Sequence, residues 1–160
     1  MKEKLKIKIN KIINDCDKHL LRINSAYDKA IPIFPLNAEK YNSINENFIE
    51  HIDQYLFRFS KLQDTMGNKL FKSVLLYLDE DIENLSFLDI LNKLEKLQFI
   101  TSAQDWRLLR EVRNELAHEY NDNAEEMSLK LNKIFDLKKT IENIYNNFIS
   151  KLKQSTIWHI

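Results

Sequence analysis

Lys4-Leu5-Lys6-Ile7-Lys8-Ile9 alternates charged and apolar residues with the period of a β-strand. Followed as far as Tyr27, the same stretch changes character. Leu5, Ile9, Ile12, Cys16, Leu20, Ile23 and Tyr27 step by three or four residues and so mark one apolar stripe along a helix. That pattern runs for about six helical turns and outvotes the short alternation, so the chain is expected to open with a long amphipathic helix. Pro32 and Pro35 end it, because each lacks a backbone donor and disfavours α geometry in the residue before it.

Working outward, one glycine and two prolines leave few places for the tight turns that hairpins and sandwiches need. The expected fold class is therefore all-α. Ser43-Ile44-Asn45-Glu46 has the capping-box pattern and predicts the start of a long helix. Its apolar stripe continues through Ile52, Tyr55, Phe59, Leu62, Met66, Leu70, Val74 and Leu78 to the acidic segment Asp79 to Glu83. Gly67 interrupts it and reads as a close helix crossing or a kink. Ser86-Phe87-Leu88-Asp89 and Ser102-Ala103-Gln104-Asp105 signal two further starts, each a Ser followed by an acid suited to the positive end of the helix dipole. The first helix should end near Gln98. After Asn121-Asp122-Asn123, the positions Met127, Leu131, Ile134, Ile141, Ile144, Phe148 and Leu152 predict one last long helix. The expectation is an up-and-down bundle of about five helices in a single domain over residues 1–160. Residues 154–160 form a tail, ending Ile157-Trp158-His159-Ile160, that is frayed, docked or a contact surface.

Lys plus Arg and Asp plus Glu both number 24, so no global field gathers a polyanion. RNA binding must then rely on a local patch. Lys2, Lys4, Lys6, Lys8 and Lys11 form one local excess, most simply a solvated face, and Arg107, Arg110 and Arg113 form another. A single cysteine, Cys16, excludes an intramolecular disulfide and a cysteine-rich zinc site. No stretch approaches the roughly 20 apolar residues that span a bilayer, and the chain reads as soluble and cytoplasmic. The acidic clusters lack histidines at metal-binding spacing, and one glycine cannot build a phosphate loop. Neither a metal nor a cofactor is expected.

The stretch richest in chemistry is Arg113-Asn114-Glu115-Leu116-Ala117-His118-Glu119-Tyr120. Trp106, Leu109, Val112, Leu116 and Tyr120 share one helical face, and Arg113 falls inside it. A guanidinium there needs a partner: either a carboxylate across the bundle, or a phosphate in a polar cleft at a subunit boundary. His118 lies about 140° around the helix from Arg113. One straight helix therefore does not aim both at the same atom.

The R-x-x-x-x-H-x-Y spacing of Arg113, His118 and Tyr120 resembles the signature of HEPN-domain ribonucleases, and more narrowly that of HepT-like toxins. The resemblance extends to Arg58-Phe59-Ser60-Lys61-Leu62-Gln63-Asp64-Thr65-Met66-Gly67, Leu94-Glu95-Lys96-Leu97 and Asp105-Trp106, and it covers roughly residues 5 to 153. It implies a HEPN-like bundle whose cleft is built from the motif helices of two protomers. It also implies a metal-independent endoribonuclease, with Arg113 holding the scissile phosphate and His118 transferring protons. Asn114 orients the histidine or donates to phosphate. Arg58, Asp64 and Arg110 are secondary candidates, with Arg58 and Asp64 either bracketing the cleft or pairing with other bundle charges. Tyr120 is expected to accept adenylyl groups from an MNT-type nucleotidyltransferase acting as antitoxin, in a stable hetero-oligomer or a transient encounter. The competing expectations are a noncatalytic helical adaptor for such a nucleotidyltransferase, and a dimerisation domain in which Arg113 is an internal salt-bridge partner.

Overall fold

A computed structural model describes the backbone of residues 1–118 and 123–159, and the side chains of these except at positions 117, 118, 156 and 157. The described elements are helical: α1 (Lys2–Ala30), α2 (Ala38–Asn42), α3 (Glu46–Thr65), α4 (Phe71–Tyr77), α5 (Phe87–Lys96), α6 (Ala103–His118), α7 (Ala124–Asp136) and α8 (Lys138–Gln154). Short 3-10 turns at Ile31–Ile33 and Thr156–His159 follow α1 and α8, and a π turn at Met66–Leu70 joins α3 to α4.

The strand-like start of the chain is helical, and Ile9, Ile12, Cys16 and Ile23 are buried as their spacing demands. α1 packs antiparallel along α3 and α4, with Tyr27 against Tyr55 near one end and Lys2 paired with Asp79 at the other. Asn45, not Ser43, caps α3, its side chain accepting from the Phe48 amide at 3.1 Å. Ser43 instead closes α2, donating to the carbonyls of Glu39 and Lys40. The predicted capping box is realised two helices later, where the Ser86 hydroxyl and the Asp89 carboxylate each accept from the other's backbone amide.

The single helix expected after Asn123 is two helices, α7 and α8, parted at Leu137. Neither Gly nor Pro marks the break, and the seven-residue step from Ile134 to Ile141 keeps the stripe in phase across it. Asn132 of α7 grips the loop after α1 with two hydrogen bonds, accepting from the Leu36 amide at 2.7 Å and donating to its carbonyl at 2.9 Å.

Two aromatic groups fill the core. Tyr27, Phe34, Tyr55 and Phe135 stack at one end, with the Tyr55 hydroxyl donating to the Ile134 carbonyl at 2.7 Å. Phe71, Phe99, Trp106 and Phe148 meet at the other. Tyr145 of α8 reaches α1, where its hydroxyl donates to Asp17; burial and that bond push its pKa upward. Cys16 lies inside, its thiol pushed up to about 12 by burial and by Asp17 and Asp15. Trp158 packs edge-on against Tyr77 at 5.5 Å, with Lys6 over its ring, so the described part of the tail is docked. Among the described residues no helix is long and apolar enough to cross a membrane.

Candidate functional site

α6 is anchored at its start by two bonds: Glu95 accepts from the Ala103 amide at 2.6 Å, and Ser102 accepts from the Asp105 amide at 3.2 Å. Its inner face is the one the periodicity assigned. Trp106, Leu109 and Val112 are buried, and Leu116 is partly so. His118 is the last residue of the helix, with its side chain outside the described residues, and Tyr120 lies outside them altogether.

Arg113 meets a carboxylate across the bundle. Its Nη1 donates to Asp64 Oδ1 of α3, and its Nη2 lies 3.5 Å from Asn114 Oδ1. The pair is not sealed: the Arg113 side chain is 21% exposed and that of Asp64 is 49% exposed. One guanidinium edge is thus committed within the chain while the group as a whole still faces water. Asp64 stands immediately before the π turn, where the Phe71 amide bonds to the Met66 carbonyl five residues back. Gly67 sits in that turn as a close crossing. A Cβ there would come within 3.2 Å of Trp106 Cζ2 and 3.4 Å of Phe87 Cζ.

Two concavities flank this part of α6. A pocket of about 170 Å³ is lined by Gln63, Asp64, Gly67, Asn68, Phe87, Trp106, Arg110 and Arg113. A wider groove of about 800 Å³ includes Leu88, Leu91, Arg107, Arg110, Asn114 and Lys130. Phe87, Trp106 and Arg110 border both, and the Arg110 guanidinium lies 5.1 Å from the Phe87 ring centroid. Arg113 opens on the small pocket and Asn114 on the groove.

Of the secondary candidates, Asp64 and Arg110 come together with Arg113. Arg58 lies about 120° around α3 from Asp64 and turns to α1, 3.1 Å from His19 Nδ1. Burial, then Arg58, lowers the His19 pKa, and Asp15 partly offsets this. Among the described residues no group of three His, Cys, Asp or Glu side chains is placed to hold a metal ion. Gln63, Phe87 and Lys130 were not singled out from the sequence as site residues. Gln63 left a signal there, being a polar residue beside Leu62 on a buried helical face.

No family model, curated protein or solved structure matches the chain.

Proposed function

We propose that the chain is a metal-independent endoribonuclease of HEPN type, acting as a homodimer and neutralised by an MNT-type nucleotidyltransferase through adenylylation of Tyr120. The observation that carries the reading is Arg113: an arginine five residues before His118, half-committed to Asp64, at the mouth of a polar pocket bordered by a second arginine. Cleavage requires a 2′-hydroxyl to lose its proton and attack phosphorus while the bond to the 5′-oxygen breaks and that oxygen gains a proton. A cyclic phosphate and a 5′-hydroxyl result. His118 suits the proton transfers, since its ordinary pKa lies near neutrality. Arg113 suits the charge that builds on the non-bridging oxygens. A nucleotide on Tyr120 adds bulk and negative charge close to both in sequence, in competition with RNA phosphate.

The test is RNA cleavage by the purified protein with and without a chelator. His118→Ala is expected to lose about a hundred- to ten-thousand-fold in rate, as general acids and bases do, while remaining folded. Tyr120→Phe is expected to keep cleaving yet escape the nucleotidyltransferase supplied with ATP. Undiminished cleavage by His118→Ala overturns the mechanism, and so does complete inhibition of the wild type by the chelator.

The Arg113–Asp64 pair also favours a second reading, a dimerisation domain in which the arginine is structural. On that reading Arg113→Ala lowers stability and no RNA is cut by either form. On the reading proposed, it lowers cleavage far more than stability.

A further inference from the structure

Gln63 is 3% exposed, and both atoms of its carboxamide are buried without a hydrogen-bond partner. Buried amides are bonded almost without exception in folded proteins. An amide left with a free donor and a free acceptor is therefore unusual, and its position makes it more so. Gln63 lines the 170 Å³ pocket beneath Arg113, with Asp64 and Asn68 beside it and Phe87 and Trp106 as aromatic walls. That volume holds about five waters at about 30 Å³ each, far more than one water bridging the amide would fill.

The wall chemistry is that of a nucleotide site. Aromatic rings stack on the face of a base and arginines hold phosphate. A carboxamide supplies the adjacent donor and acceptor that read a base edge, and a glutamine pairs in two parallel bonds with the amino group and ring nitrogen of adenine. Phe87 and Trp106 provide the rings, Arg110 and Arg113 the cations, and Gln63 the edge. The two arginines lie on the pocket wall one helical turn apart on α6, so a phosphate at Arg113 leaves the base of its own nucleotide within reach of the walls. The π turn gives Gln63 and Asp64 their place at the rim: it opens the helix directly after them, where π turns often mark functional sites.

We infer that this pocket binds an adenine nucleotide, with Gln63 reading the base, Phe87 and Trp106 enclosing it, and Arg110 and Arg113 taking its phosphate. Gln63 turns its amide into the pocket as the nucleotide enters, exchanging no hydrogen bonds for two. The phosphate half of this assignment rests on the function proposed above, whereas the base half rests on Gln63 and the rings alone. The adenine is either a residue of the RNA or a free nucleotide.

Titration of the intact protein with AMP, GMP, CMP and UMP, followed by tryptophan fluorescence and checked by calorimetry, decides between the outcomes. AMP is expected to bind at least tenfold more tightly than the other three. Gln63→Met keeps the volume and apolar contacts of the stem, and it is expected to erase that preference. Arg110→Ala alters an exposed side chain and leaves the core intact, so it is expected to weaken all four nucleotides alike. Equal affinity for the four nucleotides, equal affinity for inorganic phosphate alone, or an unchanged AMP preference in Gln63→Met would each overturn the assignment. Cleavage sites mapped on mixed-sequence RNA assign the source: breaks clustered beside adenines in the wild type and scattered in Gln63→Met place the base in the RNA. If the protein cuts no RNA, AMP binding that depends on Gln63 still upholds the pocket while the ribonuclease reading falls.

Discussion

Asp64 and an incoming phosphate compete for one guanidinium. Because Asp64 is half exposed, its carboxylate is displaced at modest cost, yet in the free protein it fixes the position of Arg113. Asp64→Asn should therefore lower KM, by removing an anion from the approach path. It should also lower kcat by about ten- to a hundredfold, the scale of loss when a reacting or charge-stabilising group is slightly misplaced. Steady-state kinetics on a short RNA separates the two effects, and parallel loss in both constants contradicts this role for Asp64. At His19 the sign runs the other way from a paired carboxylate. Its folded pKa is depressed below the ordinary 6.5 by burial and by Arg58, so the unfolded chain takes up the proton first. Stability is then fully present above the unfolded value and declines as pH falls through 6.5 toward the folded pKa. Urea titrations across that window should show the decline, and His19→Asn, which keeps an acceptor for Arg58, should flatten it.

Helix starts differ in what they depend on. α3 depends on Asn45, so Asn45→Ala should cost about 1 kcal/mol in urea denaturation, and Ser43→Ala clearly less, because that hydroxyl bonds only to the end of the five-residue α2. Equal losses would restore Ser43 as the cap. The sequence placed the helix start to within three residues but chose the wrong cap, since Ser43 and Asn45 both carry capping chemistry and only the path of the chain out of α2 selects between them. Helical stripes were legible wherever a period of three or four persisted, as in α1 and α6. The break at Leu137 was not, because it has no breaker residue and preserves phase. At the site, Arg113 showed itself as a charge within an apolar face. Its partner Asp64 did not, since it lies 49 residues away and is one of 24 acidic residues, any of which has the right charge.

For the molecule as a whole, equal numbers of acidic and basic residues mean that association cannot be driven by net charge. The homodimer proposed here must draw on local apolar surface near α6. Leu88, on the rim of the wide groove, is 46% exposed. Light scattering at low micromolar concentration should give twice the 19.2 kDa chain mass, and Leu88→Asp should shift the species toward one chain without lowering helix content. A monomer at every concentration removes the composite cleft, and with it the account of how an Arg and a His on different sides of one helix act together.

The π turn has a consequence for how the chain tolerates change in length. Leu62, Met66, Leu70 and Val74 are all fully buried although they follow one another at steps of four. In an unbroken α-helix each such step overshoots a turn by about 40°, and the side chains would wind off the core. The wider turn takes up one surplus residue and returns the stripe to the interior. That residue is thus a local expansion that the rest of the helix does not feel. Removing the exposed Asn68 should let the segment relax into ordinary α-helix with α4 still facing inward, whereas removing the equally exposed Asp53 turns the half of α3 before it by about 100° against the rest. What the shortened chain would forfeit is the recess beneath Arg113: the fold can do without the surplus residue, and the pocket cannot.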